Sequence, residues 1–164
     1  MIYFTASLCE ALKIEEQERL LYSEQELEYM SSSKHILIID DDKLTRRLFG
    51  GKLAIEGFDI LYAEDGNEGR EIARRLQPDL ILLDIRMPDE DGCTVAKRLE
   101  EERRTKNIPI IFLTNEDISK EAEKALKEVW AKDYIHKSTD LNEMVERVRK
   151  VIQVSKKEKQ PDKK

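Results

Sequence analysis

Five short apolar runs, each followed by a stretch of helical character, constrain this chain more than any other feature of it. Residues 35–39, 58–63, 80–83, 108–113 and 134–136 read as strands. Residues 43–56, 68–76, 93–103, 118–129 and 141–152 read as helices. The runs at 35–39 and 80–83 are apolar without alternation, the mark of strands covered on both faces. Gly57 closes the first helix, and Asp65 and Gly66 precede the second. In the last helix Leu141, Met144, Val145, Val148, Val151 and Ile152 fall on one stripe, and Asp140 with Glu143 resembles a capping box. The alternation predicts an α/β fold, (βα)5, with a doubly wound parallel five-stranded sheet of flavodoxin-like order 2-1-3-4-5.

Two flanking segments differ from this unit. Residues 1–34 form an acidic leader, with Glu10, Glu15, Glu16, Glu18, Glu24, Glu26 and Glu28 against Lys13, Arg19 and Lys34. Its stretch 7–30 lacks Gly and Pro and is expected to be helical, ending in the Ser linker 31–33. Its apolar stripe is partial, which leaves open both a docking or homodimerising helix and a helix that merely lies on the surface. Residues 155–164 are Lys-rich with no large apolar side chain and are expected to be a disordered basic tail. The domain proper is then 35–154.

Bulk properties exclude several functions. A net charge of −6 and a pI near 5.2 argue against direct nucleic-acid binding. The two cysteines, Cys9 and Cys93, stand in no metal spacing and suggest free thiols in a reducing compartment. No apolar run reaches the roughly 18 residues of a membrane span, and the start lacks a basic signal-peptide region. A cytoplasmic location is expected, with no membrane partner.

The chemistry follows from where the acids fall. Parallel sheets of this order bind ligands at the C-terminal edge, between strands one and three. Strand one ends in Asp40-Asp41-Asp42 and strand three in Asp84. Converging carboxylates repel, and a hard cation relieves them; two or three carboxylates and a carbonyl suit magnesium. Strand four adds the Thr114 hydroxyl and strand five the Lys137 ammonium. A phosphoryl group on Asp84 would meet metal, hydroxyl and ammonium together, the clamp that phosphoryl transfer needs. Each residue alone has an ordinary reading as a loop, cap or edge residue; the joint pattern carries the argument.

Residues 35–154 resemble the receiver domain of bacterial and archaeal response regulators along their whole length. The likeness rests on His35-Ile-Leu-Ile-Ile-Asp-Asp-Asp, on Ala63-Glu-Asp-Gly, and most specifically on the segment from Pro78 through Asp84 to Met87-Pro-Asp-Glu-Asp-Gly92. The resemblance implies that Asp40, Asp41, Asp84 and the Arg86 carbonyl hold Mg2+. It implies that Asp84 is the phosphoacceptor and that Thr114 and Lys137 bind the phosphoryl group. Tyr134 matches the aromatic switch position. The implied donor is a phosphohistidine on a sensor histidine kinase or histidine phosphotransfer protein. The implied output is a protein target docking on the face of the fourth helix, fifth strand and fifth helix.

The sequence departs from the family at Ser138, where Pro is usual, at Asn115, and at Trp130, where Gly is usual. Trp130 reads as a core residue or as an anchor for a partner. Arg86 and Glu116, each two residues past a site residue, are expected to flank the phosphoryl group and tune its lifetime. Gly50-Gly51 interrupts the first helix at a cost of about 1 kcal/mol per Gly. Two rivals stand beside this reading: a haloacid-dehalogenase-type phosphatase using Asp40-x-Asp42, and a receiver-like interaction module that is never phosphorylated. With no output module recognisable after residue 154, a single-domain regulator is expected.

Overall fold

A computed structural model of the chain describes residues 33–115 and 131–159, the last four without their side chains. The elements are β1 (Lys34–Ile39), α1 (Lys43–Ile55), β2 (Phe58–Ala63), α2 (Gly66–Leu76), β3 (Leu80–Asp84), α3 (Gly92–Glu101), β4 (Ile110–Thr114), β5 (Asp133–His136) and α4 (Leu141–Lys159). The leader 1–32 and the expected helix at 118–129, with Trp130, lie outside the described residues. The sheet has the order β2-β1-β3-β4-β5 with all strands parallel, as the alternation predicts. Its central registers pair Ile38 with Leu82, Leu82 with Ile111 and Leu113 with Ile135.

The period of two along each strand builds two cores. Leu37, Ile39, Ile81 and Leu83 face one side, where Ala73 of α2 and Val95, Ala96 and Leu99 of α3 cover them. Ile36, Ile38, Leu80 and Leu82 face the other, under Phe49 and Leu53 of α1 and Met144, Val145 and Val148 of α4. β1, β3 and β4 are thus buried on both sides, which is why they carry no alternating polar residues.

Acidic caps set the helix starts. Asp42, Asp65 and Asp91 each accept main-chain N–H groups from the first turn of α1, α2 and α3. Asp140 accepts from Asn142 and Glu143 at the start of α4, the capping half of the expected box. With Asp65 and Asp91 as caps, α2 and α3 begin at Gly66 and Gly92, earlier than expected from apolar spacing. β4 begins at Ile110 rather than 108, since Pro109 has no N–H to pair. β5 takes in Asp133, whose carboxylate receives two bonds of 2.8 Å from Arg147 of α4. The last helix runs on to Lys159, five residues past the expected domain boundary at 154. Ser155 is buried, and Lys, Glu and Gln favour helix until Pro161.

The paired glycines of α1 have different explanations. A Cβ on Gly50 would lie 2.2 Å from the Tyr62 hydroxyl, so the helix approaches β2 there through a missing side chain. A Cβ on Gly51 would meet nothing within 4 Å. Gly51→Ala is therefore expected to raise stability by about 1 kcal/mol, read as a higher urea midpoint with an unchanged slope. An unchanged midpoint would show that Gly51 is not a helix-interior cost.

Candidate functional site

The sheet delivers its C-terminal edge as the sequence predicts. Asp40 follows β1, while Asp84, Thr114 and His136 end β3, β4 and β5, with Lys137 next in line. Asp40, Asp41 and Asp84 each offer a carboxylate oxygen, all within 4.8 Å of one another. Asp40 is fully buried and Asp84 nearly so, while Asp41 is exposed. Lys137 Nζ bridges the buried pair, 2.8 Å from Asp40 Oδ2 and 3.0 Å from Asp84 Oδ2. The other oxygen of Asp40 accepts from the Asp42 N–H at 2.9 Å, and Asp84 Oδ1 accepts from the Arg86 N–H at 3.3 Å. Thr114 is buried at the same edge, and its carbonyl accepts from the Lys137 N–H at 2.7 Å.

Burial dominates the electrostatics. It pushes the Asp40 carboxyl above the ordinary carboxylate range, opposed by Lys137 and the Asp42 N–H, while the charge of Asp84 adds to the rise. Asp84 is raised for the same reason, with Asp41 adding to it and Lys137 opposing. For Lys137 burial alone would lower the pKa, but its bonds and charge pairing with Asp40 and Asp84 outweigh burial and raise it. One buried ammonium thus serves two buried carboxylates, with a third carboxylate at the mouth. The donor set is all oxygen and carries excess negative charge, which fits a small hard dication and not a soft metal.

The remaining predicted residues sort as follows. Tyr134, on the edge strand β5 with Phe112 of β4 opposite it, is buried and belongs to the apolar cluster on the Leu37–Leu83 side of the sheet. Arg86 is exposed; its expected partner Glu116 lies outside the described residues. Ser138 follows Lys137 through a trans peptide, and its N–H donates to His136 Nδ1 at 3.1 Å, closing the turn with a side chain where the family has a proline ring. Asp42 accepts from Thr45 and Leu44 as the cap of α1, and these bonds, Thr45 first, hold its carboxyl below the usual range. Asp42 is thus occupied as a cap, away from the acid–base role the phosphatase rival requires. Burial, with the Asp91 charge adding, pushes the Cys93 thiol up to about 11, so it is a protonated thiol at neutral pH.

Sequence reasoning missed Arg46 and Glu64. Arg46 is buried, its Nη1 donates to the Asp40 and Asp41 carbonyls at 2.6 and 3.1 Å, and its Nη2 meets Glu64 Oε1 at 2.5 Å. A signal existed: Arg46, Phe49, Gly50 and Leu53 form the buried stripe of α1, and one member of that stripe is charged.

Comparison with known proteins shows the family and the fold. Residues 36–149 match the family model described as "Response regulator receiver domain". The chain is similar to the DNA-binding dual master transcriptional regulator RpaA of Synechocystis, 40% identical over 71% of this chain and 48% of that protein. It is similar to the response regulator PleD of Caulobacter vibrioides, 36% identical over 71% of this chain and 26% of that one. The chain therefore spans about half or less of these relatives' length. A putative response regulator from Chloroflexus aurantiacus is 32% identical with a TM-score of 0.69, covering 74% of this chain and 99% of that chain. The chemotaxis protein CheY4 of Vibrio cholerae is 26% identical with a TM-score of 0.68, covering 73% and 99%. Matched by that family model over residues 36–149, this chain belongs to the response regulator receiver domains of two-component signalling.

Proposed function

We propose that this receiver domain is a phosphorylation switch with Asp84 as its acceptor. The observation that carries the reading is the buried Asp40–Lys137–Asp84 bridge with the Asp41 carboxylate beside it. One Asp84 oxygen attacks the phosphorus of a phosphohistidine. The new P–O bond makes an acyl phosphate as the P–N bond breaks, and the imidazole leaves with the electron pair. The donor is a sensor histidine kinase or a histidine phosphotransfer protein.

Asp40, Asp41, Asp84 and the Arg86 carbonyl would hold Mg2+, which neutralises charge on the phosphoryl oxygens when bound. Lys137 neutralises a further oxygen and keeps a counter-ion on Asp40 as Asp84 becomes esterified. Thr114 donates its hydroxyl to the phosphoryl group. Each such charge-assisted bond contributes about 1.5–3 kcal/mol. Two of them approach the roughly 5.5 kcal/mol needed to move a two-state equilibrium from 1:99 to 99:1. Tyr134, on the strand beside Thr114, is the second switch residue, and Arg86 with Glu116 tunes the lifetime. The readout is a protein target on the face of the expected helix at 118–129, β5 and α4, in a cytoplasmic setting that keeps Cys93 reduced.

Acetyl phosphate labelling read by intact mass tests this. The wild type is expected to gain one phosphoryl group only with Mg2+, and Asp84→Asn to gain none. An unlabelled wild type would leave the fold intact and make the chain an interaction module. An adduct that persists in Asp84→Asn would move the acceptor elsewhere.

A further inference from the structure

We propose that Arg46 is a positioning residue for the metal site, setting the geometry of Asp40 and Asp41 through their main-chain carbonyls. This rests on the magnesium reading above. Asp41 is exposed, so its carboxylate is aimed chiefly by the backbone that carries it. That backbone leaves the sheet at Asp40, whose N–H still donates to the Ala63 carbonyl of β2 at 3.2 Å. Beyond the end of β1 at Ile39, the carbonyls of Asp40 and Asp41 accept from a side chain. Arg46, one turn into α1, folds back and binds both, at 2.6 and 3.1 Å.

The guanidinium is itself fixed. It is 6% exposed, and Glu64, just after β2, takes its other nitrogen at 2.5 Å. The Glu64 N–H donates to Glu68 of α2 at 2.8 Å, so the carboxylate that holds Arg46 sits in a segment pinned by the next helix. A planar fork with several donors can span two carbonyls and a carboxylate; an ammonium on a flexible stem cannot hold all three in one geometry. Magnesium accepts little deviation from octahedral ligands at about 2.0–2.1 Å. Outer groups that orient its ligands typically change affinity by about 10–100-fold.

The sign of the effect separates positioning from charge. A cation beside the acids opposes a bound dication, so deleting it on charge grounds alone would tighten Mg2+ binding. Positioning demands the reverse. Isothermal titration of the full chain with MgCl2 reads the difference, using Arg46→Ala and the charge-keeping Arg46→Lys. Both are expected to bind Mg2+ about ten-fold more weakly than wild type, and the Lys variant keeps the proposal testable if the Ala variant does not fold. Affinity in Arg46→Lys within two-fold of wild type, or tighter binding in Arg46→Ala, would overturn the proposal while the magnesium reading stands. A wild type that takes up no Mg2+ would overturn both.

Discussion

Replacing Lys137 by methionine is expected to destabilise the metal-free protein at pH 7 by about 3–5 kcal/mol, the usual result of removing one partner from a buried ion pair. The ammonium lies 2.8 and 3.0 Å from two carboxylates that are almost wholly buried. Without it, Asp40 and Asp84 face each other with one main-chain N–H apiece. The pH dependence has a definite sign. Both carboxyls already have folded pKa values above the unfolded ones, chiefly through burial, and losing Lys137 raises them further. Such groups bind protons more tightly in the folded state, so stability rises as pH falls through their raised pKa values. The deficit of Lys137→Met should therefore be largest near neutrality and shrink on acidification. In the wild type the raised Lys137 pKa acts at the other end: its contribution is complete below the ordinary lysine range and is lost as pH rises through its folded value. Added Mg2+ should restore part of the deficit by binding only the folded form. Urea titrations at several pH values, with and without Mg2+, check all of this. A deficit independent of both would mean that packing of the lysine stem, and not charge, is what was lost.

The fold was legible because the central strands β1, β3 and β4 are covered on both faces. Double coverage turns β1 and β3 into unbroken apolar runs, and the helices between them into stripes that a linear reading detects. The site was legible for a related reason: a parallel sheet puts every strand's C-terminal end on one edge, so Asp40, Asp84, Thr114 and Lys137 could be placed together across large gaps in sequence. What escaped depends on contacts that spacing does not encode. Arg46 looks like one more surface charge until its stripe is known to face inward. Gly50 looks like a helix defect until the Tyr62 ring is seen where a Cβ would lie. The starts of α3 at Gly92 and of β4 at Ile110 are set by a cap and a proline, which outrank apolar pattern locally. The helix reaches Lys159 because residues of good helix propensity continue one already packed up to Ser155, which an apolar stripe ending at Ile152 does not signal.

Gly92→Ala is expected to cost about 1–3 kcal/mol or more, the range for inserting a carbon into a packed position, and to slow labelling of Asp84 as well. A Cβ at Gly92 would stand 2.1 Å from the Asp84 carbonyl oxygen and 3.0 Å from the Ile85 Cα. These are main-chain atoms, so no rotamer change relieves the overlap. The strand end cannot easily retreat either. Asp84 is paired opposite Leu113, the Ile85 N–H donates to the Leu113 carbonyl at 3.1 Å, and the Gly92 N–H donates back to the Ile85 carbonyl at 2.9 Å. Accommodating the methyl means moving the start of α3 or moving the backbone of the phosphoacceptor. The first breaks the Gly92–Ile85 bond and loosens the Asp91 cap, whose carboxylate receives the Cys93 N–H at 2.7 Å. The second shifts the Asp84 carboxylate away from Lys137. Both outcomes lower stability, but only the second slows phosphoryl transfer, because reaction depends on the reacting atoms being placed to within about an ångström. Urea unfolding beside the acetyl phosphate labelling rate distinguishes them: a stability loss with an unchanged rate assigns the give to α3, and a loss of both assigns it to β3. Neither loss would mean that the close approach of Gly92 to Asp84 is not a constraint on the folded chain.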